Sequence, residues 1–263
     1  MDIGKTCYLF LDYDGTVFLN EQVPRENLEA LEAAQRLGHR LILNTGRSRG
    51  NLDFSRKENQ AICWDGVIFG ASDMTYQGRR YHEHTLSADT VLQWVRYAIA
   101  HRYWMNLGGE ASGLRLNLDK HSGSYTAEET ETVLRQVREW MAGDTVTKLI
   151  LQRVDEGDDP VKGLPAIRME DYAEVFANGR DKGSGFLDFC KYYGIPKDQC
   201  VCFGDSLNDL AVFQVCPTGI CMRNSPEILK ASASYCAKSV FGVAEGVRWL
   251  FGDKIKSLLT KCV

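Results

Sequence analysis

The sequence predicts an α/β protein whose doubly wound parallel sheet is interrupted by an inserted α+β segment. Apolar, strand-like runs alternate with helical patterns in residues 1–82, and the same alternation returns in residues 179–263. Repeated strand–helix units favour a parallel sheet that helices cover on both faces. Residues 83–178 instead mix helices with short strand-like runs separated by glycines. We therefore expect a core domain formed by 1–82 and 179–263, and a second domain at 83–178.

The first part of the core begins with an apolar run at residues 7–11, which is typical of a buried strand. Residues 24–37 carry leucine and alanine at helical spacing and predict a helix. Residues 40–44 (RLILN) predict the next strand. Asp65 and Gly66 predict a hairpin turn, because Asp-Gly is a common two-residue hairpin loop.

The second part of the core repeats this pattern. Residues 183–193 and 206–215 suit helices, whereas residues 200–203 and 219–222 suit strands. A further helix is expected to open at Pro226, since proline is favoured in the first turn of a helix. The carboxyl ends of the predicted core strands should lie along one edge of the sheet.

The inserted segment is predicted to contain two helices and several short strands. Ser87 is expected to cap a helix that reaches residue 100. Thr126 and Glu129 form a capping-box sequence that opens a second helix toward residue 141. The strand-like runs are YWMNL (103–107), LRLNL (114–118), TKLILQR (147–153) and AEVFA (173–177).

The overall composition excludes several classes of protein. The chain has 263 residues, of which 44% are hydrophobic and 25% charged, as in ordinary globular proteins. The formal net charge of -4, with scattered Lys and Arg, argues against a nucleic-acid-binding protein. No long uncharged apolar run is present, so we expect no membrane span. The N-terminus also lacks the pattern of a signal peptide.

The cysteines indicate a reducing environment. There are nine of them, an odd number, and no Cys-x-x-Cys pair occurs. Several lie inside apolar segments, where a free thiol packs as a small hydrophobic side chain. We therefore expect a cytoplasmic protein, in preference to zinc binding or disulfides. The oligomeric state is left open, and a monomer is compatible with the sequence.

Two carboxylates, Asp12 and Asp14, follow the first predicted strand at a spacing that places both on one side of an extended chain. Two such charges about 4 Å apart repel by roughly 4 kcal/mol at an effective dielectric constant of about 20. Thr45 and Asp205 end two other predicted strands. Because ligands bind outside the carboxyl ends of parallel strands, these residues should meet. Asp12, Asp14 and Asp205 would then form an acidic cluster that Mg²⁺ could neutralise.

These residue types suit the chemistry of phosphate esters. Mg²⁺ keeps several waters and accepts phosphate oxygens as ligands. An aspartate can attack phosphorus and form an aspartyl-phosphate. A second carboxyl can protonate the leaving oxygen and then activate water. The Thr45 hydroxyl, nearby main-chain N–H groups and Lys182 can hold the phosphoryl oxygens.

Four motifs resemble, in order, those of the haloacid dehalogenase (HAD) superfamily of phosphohydrolases: DYDGT, a strand ending in NTGR, DKGSG and GDSLND. The segments WDGVI, GICMRNSPEILKASA and GVAEGV resemble the Cof-like subgroup, which has a type IIB cap domain inserted into a Rossmann-like core. The resemblance covers both core segments, whereas residues 83–178 match only in position, size and type of element. It implies that this second domain is a cap that closes over the core, excludes water and selects the substrate.

The resemblance implies roles for the acidic residues. Asp12 is expected to be the nucleophile and a Mg²⁺ ligand. Asp14 is expected to be the general acid and base, with its main-chain carbonyl on the metal. Asp205 should complete the metal site, and Asp209 should support it. The chain departs from the subgroup at Asp65, where Asn is usual before Gly.

The resemblance also implies a set of phosphate-binding residues. Thr45 and Lys182 are expected to act in catalysis by holding the phosphoryl group. Asn224 could line the same site or cap the next helix. The residues predicted to bind substrate are Thr45, Gly46, Arg47, Lys182 and Asn208. For Arg47, an ion pair on the core is an equal alternative.

Some residues in or beside the predicted cap could contact substrate, although each one singly fits a surface or packing role better. The His-Glu-His sequence at 82–84 suggests a metal site, but two ligands near a hinge would hold a metal weakly. The residues considered are His82, His84, His101, His121, Arg115 and Trp104.

We predict an enzyme that catalyses Mg²⁺-dependent hydrolysis of a small phosphorylated metabolite, with sugar phosphates as the first choice. Phosphorylated cofactors such as pyridoxal phosphate or a flavin nucleotide are the second. A phosphomannomutase-like phosphotransferase would share this core and cap type but would need a cap site for a second phosphate. A haloacid dehalogenase would not require Asp14. A non-catalytic phosphate-sensing module is the alternative from another class.

Overall fold

The computed structural model describes residues 5–52, 61–118, 124–154, 166–169, 172–252 and 254–255. Its chain divides into two compact units. Unit 1 comprises Met1–Gly46, Asp53–Tyr81 and Asp181–Val263, and unit 2 comprises Arg47–Leu52 and His82–Arg180. Unit 2 therefore includes a short segment that lies within the predicted first part of the core. The domain boundaries given above stay a prediction.

The strands are numbered in chain order across both units. In unit 1 the described residues form β1 (Tyr8–Leu11), β2 (Arg40–Thr45), β3 (Gly66–Phe69), β4 (Asp73–Tyr76), β5 (Arg79–His82), β11 (Cys200–Gly204), β12 (Thr218–Cys221) and β13 (Tyr235–Cys236). In unit 2 they form β6 (Trp104–Gly109), β7 (Gly113–Leu116), β8 (Val146–Gln152), β9 (Ile167–Arg168) and β10 (Tyr172–Phe176).

The helices follow the same numbering. Over the described residues they are α1 (Arg25–Arg36), α2 (Ala88–His101), α3 (Ala127–Met141), α4 (Lys182–Tyr193), α5 (Leu210–Val215), α6 (Glu227–Ser232) and α7 (Gly242–Phe251). The predicted caps of α2 and α3 are confirmed: the Ser87 side chain accepts a hydrogen bond from Thr90 N, and Thr126 and Glu129 form a reciprocal capping box.

The sheet of unit 1 has the strand order β13-β12-β11-β1-β2-β3-β4-β5. Neighbours from β13 to β3 pair in parallel, and β4 pairs antiparallel with β3. The chain runs outward in one direction from β1 to β2 and β3, and in the other from β11 to β12. Ligands bind at such a reversal of strand order, outside the carboxyl ends of the strands.

Helices cover both faces of this sheet. Leu9 and Leu11 belong to the apolar cluster that α1 and α7 complete, whereas Phe10 belongs to the cluster of α4 and α5. Successive residues of a strand point to opposite faces, so β1 contributes to both clusters. The predicted doubly wound α/β core is confirmed.

The sheet of unit 2 has the order β7-β6-β8-β10-β9, and its pairings are antiparallel. Alternate residues of its central strands, among them Leu107 and Leu149, pack with Val95 of α2 and Leu134 of α3 in one apolar cluster. Unit 2 is therefore an α+β unit with both helices on one face of the sheet.

The predicted hairpin at Asp65 and Gly66 is wrong. The Asp65 carboxylate accepts hydrogen bonds from Leu41 N at 2.9 Å and Gln35 Nε2 at 3.0 Å, so it is bound to the start of β2 and to α1. Gly66 begins β3, where a Cβ atom would lie 3.0 Å from Ile42 and Phe189. Close packing favours glycine there, and a turn does not explain it. The hairpin forms one strand later, between β3 and β4.

Asp144 joins the turn between β6 and β7 to the loop before β8. Its Oδ1 accepts a hydrogen bond from Glu110 N at 2.8 Å, and its Oδ2 accepts from Ser112 N at 2.7 Å and Ser112 Oγ at 2.9 Å. A Cβ atom on Gly109 would overlap this carboxylate. Burial opposes ionisation, but hydrogen bonds from Ala111 and Ser112 outweigh it and hold the pKa of Asp144 below its usual value of 3.8.

Replacing Asp144 with Ala is expected to lower the free energy of unfolding by about 2 kcal/mol near pH 7, because hydrogen bonds to a charged acceptor are lost. The pKa of Asp144 is lower in the folded than in the unfolded protein. Its contribution is therefore present above the unfolded-state value and disappears as the pH falls through the folded-state value.

Urea unfolding of wild type and Asp144→Ala, measured from neutral pH down to about pH 3, tests this expectation. The difference in stability should shrink at the acidic end. The exposed Glu139→Gln on α3 is the control and should behave as wild type. A stability difference that stays constant over the whole pH range would contradict the lowered pKa of Asp144.

Candidate active site

Three predicted site residues lie at the carboxyl ends of adjacent parallel strands. Asp12 directly follows β1, Thr45 ends β2, and Asp205 directly follows β11. The central strand β1 pairs with both β2 and β11. The sheet therefore delivers two carboxylates and a hydroxyl to one edge, at the point where the strand order reverses.

The centre of this edge is a buried group of charged residues. Lys182 Nζ lies 2.5 Å from Asp12 Oδ1 and 2.7 Å from Asp209 Oδ1. Lys182 is 2% exposed, Asp12 5% and Asp209 1%. Because an unpaired buried charge costs several kcal/mol, each of these charges depends on the others.

Burial and neighbouring charges shift the pKa values of this group. Burial raises the pKa of Asp12 well above its usual value; Lys182 opposes the shift, whereas Asp209 and Asp205 increase it. Burial also raises the pKa of Asp205, with Asp209 adding to the effect. For Lys182, burial favours the neutral amine, but Asp12 and Asp209 outweigh it and raise the pKa. The ammonium therefore stays charged, while two of the carboxylates lack a counter-charge.

Asp12, Asp205 and Asp209 fit a divalent cation. Each offers one oxygen, and the three oxygens lie within 4.8 Å of one another. Three carboxylates against the one ammonium of Lys182 leave two negative charges, which one divalent ion would balance. Carboxylate oxygens are hard ligands of the kind that Mg²⁺ prefers. The acidic cluster expected from the spacing contained Asp14 where the structure has Asp209, because the Asp14 side chain is exposed and is not one of the three. The main-chain carbonyl of Asp14, which the resemblance assigns to the metal, stays a prediction.

Asp209 has a second role that the sequence analysis did not identify. Its Oδ2 accepts hydrogen bonds from Asp205 N at 3.0 Å and Ser206 N at 3.1 Å, so it fixes the loop that carries Asp205. A Cβ atom on Gly204 would overlap the Asp209 carboxylate. Ser206 is the cap residue of the short turn that follows. Asp205 is therefore not used as a helix cap.

The turn after β1 is shaped to approach Asp205. Gly15 has a φ of +80°, and a Cβ atom on it would overlap the Asp205 carboxylate. Thr16 Oγ1 donates a hydrogen bond to Asp205 Oδ1 at 3.0 Å. The sequence analysis missed Thr16, although it lies inside the DYDGT motif. The carbonyl of Tyr13 accepts hydrogen bonds from Val17 N at 3.0 Å and Phe18 N at 2.8 Å, which closes this turn.

The DKGSG motif places Lys182 at the first residue of α4. Asp181 caps the helix, with reciprocal hydrogen bonds to Ser184. Gly183 approaches α5 so closely that a Cβ atom would lie 2.5 Å from Ala211 O. The motif thus supplies the cap of α4 and the glycine that lets α4 pack closely on α5. This close packing places Lys182 within reach of Asp12 and Asp209.

The predicted substrate-binding residues other than Lys182 lie outside the buried charged group. Thr45 and Gly46 are buried at the end of β2, where Thr45 O accepts a hydrogen bond from Gly70 N at 3.1 Å. Asn208 is half-buried, and its Oδ1 accepts from Ser206 Oγ at 2.9 Å. Arg47 is half-buried and is the first residue of unit 2.

A cavity of about 360 Å³ lies beside the acidic cluster and is lined by Gly15, Asp205 and Asn224, among others. Asn224 Oδ1 accepts a hydrogen bond from Arg223 Nε at 3.4 Å. The helix after it, α6, has Pro226 as its cap residue and no side-chain cap. Of the two roles considered for Asn224, the structure therefore favours the one at the cavity wall.

Two histidines of unit 2 contact neighbouring side chains. His82 Nδ1 lies 3.4 Å from Glu110 Oε2. The ring of His101 stacks on those of Tyr97 and Tyr103. His121 lies outside the described residues. Among the residues that the structure describes, the group suited to hold a metal ion is Asp12, Asp205 and Asp209, and it includes none of these histidines.

No helix in the described part of the chain is both long and apolar enough to cross a membrane.

Residues 9–246 match the family model of the haloacid dehalogenase-like hydrolases. The chain is 24% identical to the 5-amino-6-(5-phospho-D-ribitylamino)uracil phosphatase YitU of Bacillus subtilis, over 88% of this chain and 91% of that protein. It is also 24% identical to the chloroplastic endoribonuclease YBEY of Arabidopsis thaliana, over 92% of this chain but only 46% of that protein. The chain therefore spans about half the length of that second relative.

Solved structures have the same fold. The HAD subclass IIB sugar phosphatase BT4131 superimposes with a TM-score of 0.74 at 19% identity, over 93% of this chain and 99% of that one. At this identity the likeness concerns the fold alone.

Gly15→Ala is expected to abolish stabilisation by Mg²⁺, because the new Cβ atom would displace the Asp205 carboxylate from the cluster. For wild type, a Mg²⁺ concentration of about 100 times Kd should add about 2.7 kcal/mol of stability. That corresponds to a rise in Tm of roughly 5–10 °C for a chain of this size. Thermal unfolding with and without MgCl2 measures the effect.

Gly38→Ala is the matched control. Gly38 also has a left-handed φ, of +88°, but a Cβ atom on it would meet nothing within 4 Å. Both variants therefore carry similar backbone strain, and only Gly15→Ala disturbs the cluster. If Gly15→Ala retained the full Mg²⁺-dependent rise in Tm, the proposed cation site would be wrong.

Proposed function

Because the chain belongs to the haloacid dehalogenase-like hydrolases, we propose that it hydrolyses a small phosphomonoester in a Mg²⁺-dependent reaction through an aspartyl-phosphate. The family and the phosphatase class agree with the sequence prediction. One observation carries the proposed mechanism: Asp12 is buried at the carboxyl end of β1, paired with Lys182 and next to two further carboxylates.

Asp12 is the proposed nucleophile. Its carboxylate attacks phosphorus, the new O–P bond forms, and the bond from phosphorus to the leaving oxygen breaks. Lys182 holds Asp12 Oδ1 at 2.5 Å and so limits rotation of the carboxylate. A fixed orientation of the attacking group accounts for much of the rate enhancement in such reactions. The Lys182 ammonium also supplies positive charge where the phosphoryl oxygens become more negative.

Asp14 is the proposed proton carrier. It lies two residues after Asp12 on the turn that the Tyr13 carbonyl closes, and its side chain is exposed. In the first step Asp14 gives its proton to the leaving oxygen. In the second step it takes a proton from the water that attacks the aspartyl-phosphate, which restores Asp12 and releases phosphate.

Asp12, Asp14 and Asp205 would hold Mg²⁺, the first and third through side chains and Asp14 through its carbonyl, with Asp209 in support. A bound divalent cation neutralises the carboxylates and the phosphate oxygens together. Thr45 and Lys182 bind the phosphoryl group, with Gly46, Arg47 and Asn208 as further substrate contacts.

Sugar phosphates are the proposed substrate class. The relative YitU is named for a phosphorylated ribityl compound, and a structural neighbour is described as a sugar phosphatase. Phosphorylated cofactors stay the second choice. We assign substrate selection to unit 2, with which the predicted cap largely coincides.

A phosphotransferase is the second candidate because unit 2 carries a pair of arginines suited to a second phosphate. The guanidinium of Arg153 lies 3.6 Å from the ring centre of Trp104, and that of Arg115 lies 5.0 Å from it. Two guanidinium groups around one aromatic ring place two positive charges close together, which favours the binding of an anion. Product analysis separates the two functions, since a mutase returns an isomerised sugar phosphate and little free phosphate.

A cytoplasmic location is also proposed. Its support is that the cysteines of the described residues are free thiols, including Cys190 and Cys200, whose sulfurs lie 3.9 Å apart. Such thiols persist in a reducing compartment.

Asp12→Asn is expected to lower kcat for phosphate release by at least about 10³-fold, since it removes the nucleophile. Asp14→Asn should lower it by roughly 10²–10⁴-fold, the usual contribution of a general acid and base. Phosphate release with and without Mg²⁺ is the measurement. The exposed Asp198→Asn is the control. Equal Mg²⁺-dependent rates for wild type and Asp12→Asn would end the proposal of an aspartyl-phosphate.

A phosphate-release screen over a broad panel of phosphorylated metabolites tests the substrate class. We expect activity on sugar and polyol phosphates, with kcat/KM above about 10⁴ M⁻¹s⁻¹ for the physiological substrate. Activity on nucleotides alone would contradict the proposed substrate class. It would not affect the roles proposed for the catalytic residues.

A further inference from the structure

The cavity beside the acidic cluster carries a charged side chain that the proposed mechanism does not use. Its walls come from unit 1, from residues 15–20, Asp205, the turn after β12 and residues 239–240. Asp205 and Arg223 are the charged residues among those that line it. We propose that Arg223 binds a carboxylate on the part of the substrate that leaves as the alcohol. The substrate is then a phosphate ester of a hydroxy acid, such as a sugar acid. The inference rests on the proposed function and deepens it.

One end of the cavity lies at the site of phosphoryl transfer. Asp205 lines the cavity, and one of its carboxylate oxygens lies within 4.8 Å of an oxygen of Asp12. Gly15, which lies in the same wall, approaches Asp205 so closely that a Cβ atom would overlap the carboxylate. A phosphate ester held at Asp12 can therefore extend its leaving group into this cavity. The residues that this arrangement needs all belong to unit 1.

The cavity has the size and the lining of a site for a small polar metabolite. Its volume of about 360 Å³ is near the lower end of the range for ligand pockets, roughly 300–1,000 Å³. Phe18 and Met222 supply apolar surface for a carbon chain. Asn20 and Asn224 supply side-chain amides, which both donate and accept hydrogen bonds and so suit hydroxyl groups. This lining fits the proposed sugar phosphates, and Arg223 adds a cation.

The Arg223 guanidinium is available to a ligand. Arg223 is exposed, and its Nε donates a long hydrogen bond of 3.4 Å to Asn224 Oδ1. Within the described part of the chain, no carboxylate forms an ion pair with it. Its two terminal nitrogens carry four N–H groups in the planar arrangement that binds both oxygens of a carboxylate. An arginine at a cavity wall without an acidic partner suits an anionic ligand.

The main chain around Arg223 is fixed relative to the acidic cluster. Met222 N donates a hydrogen bond to Gly204 O at 3.0 Å, and Ser225 N donates to Met222 O at 3.1 Å. Arg223 therefore lies in a tight turn that is bonded to the end of β11. Gly204 is also the residue directly before Asp205. One pair of strand ends thus sets the spacing between the acidic cluster and the turn that carries Arg223.

The charge of the cavity favours a carboxylate over a second phosphate group. One guanidinium carries one positive charge, which balances one carboxylate. A second phosphate group would carry about -1.5 to -2 charges near pH 7. It would therefore leave unbalanced negative charge in a cavity that Asp205 already lines.

The alternative is that Arg223 is an ordinary exposed charge with no ligand. Two pairs of phosphate esters distinguish these explanations, because the members of each pair differ in having a carboxylate or a hydroxymethyl group at the far end. The first pair is gluconate 6-phosphate and sorbitol 6-phosphate. The second is 3-phosphoglycerate and glycerol 3-phosphate. Each compound is measured as a substrate in MgCl2 and as a competitor of p-nitrophenyl phosphate, so that a compound that is hydrolysed slowly still gives a binding constant.

Wild type should prefer the acid of at least one pair by roughly 10-fold in kcat/KM or in competition, as for one charge-assisted contact. Arg223→Gln should abolish this preference by weakening the acid alone. Arg223→Lys should retain part of it, since an ammonium keeps the charge but loses the two-point contact. The preference should also shrink as the ionic strength rises, because salt screens exposed charges.

Arg248→Gln is the matched control, because Arg248 is an exposed arginine of α7 that does not line the cavity. It should leave the preference unchanged. Hydrolysis of p-nitrophenyl phosphate, which has no carboxylate, should be the same in wild type, Arg223→Gln and Arg248→Gln. Thermal unfolding checks that each variant is folded.

Equal values for acid and neutral esters in wild type would overturn the proposal, as would a preference that persists in Arg223→Gln. A preference for fructose 1,6-bisphosphate over fructose 6-phosphate that depends on Arg223, without one for the acids, would show a second phosphate in place of the carboxylate and would also overturn it. None of these results affects the proposed function. That function fails separately if wild type releases no phosphate from any ester or if Asp12→Asn retains full activity.

Discussion

The buried pairing of Lys182 with Asp12 and Asp209 is the constraint on which the rest of unit 1 depends. These residues come from α4, from the end of β1 and from the loop after β11, and Lys182 lies 170 residues from Asp12. Leaving any of these charges unpaired in the interior would cost several kcal/mol. The fold therefore has to bring three distant segments to one point. The motif glycines, such as Gly183 and Gly204, stand where a side chain would keep those segments apart.

Much of the fold of unit 1 and the position of its site could be predicted, because each strand and the polar residues after it are visible in a short stretch of sequence. Strand–helix alternation predicts the sheet, and polar residues after each apolar run predict which edge carries the site. Thr16 was missed because a threonine after Asp-Gly is explained equally well by a turn. Asp65 and Gly66 were misassigned because the same dipeptide can form a hairpin or, as here, tie two strands together while glycine makes room for Phe189.

The contact within unit 2 between residues 47–52 and the turn that joins β6 to β7 could not be predicted from the sequence. Hydrophobic periodicity reports which side chains are buried, whereas this contact is formed where side chains are missing, at Gly50, Gly108 and Gly113. A glycine in a sequence is explained equally well by a turn, a positive φ or a close approach. The structure shows which residue each of these glycines approaches, and these approaches place residues close to Thr45 in the chain within unit 2.

The described residues include two buried lysines, one in each unit. In unit 2, Lys148 pairs with Glu174 at 2.5 Å. In unit 1, Lys182 pairs with Asp12 and Asp209, and Asp205 is a third carboxylate in the same cluster. Burial raises the pKa values of Asp12 and Asp205, and the neighbouring carboxylates add to the effect. A phosphate ester is itself an anion, so a cluster with two excess negative charges repels it. A divalent cation held by these carboxylates would reduce that repulsion.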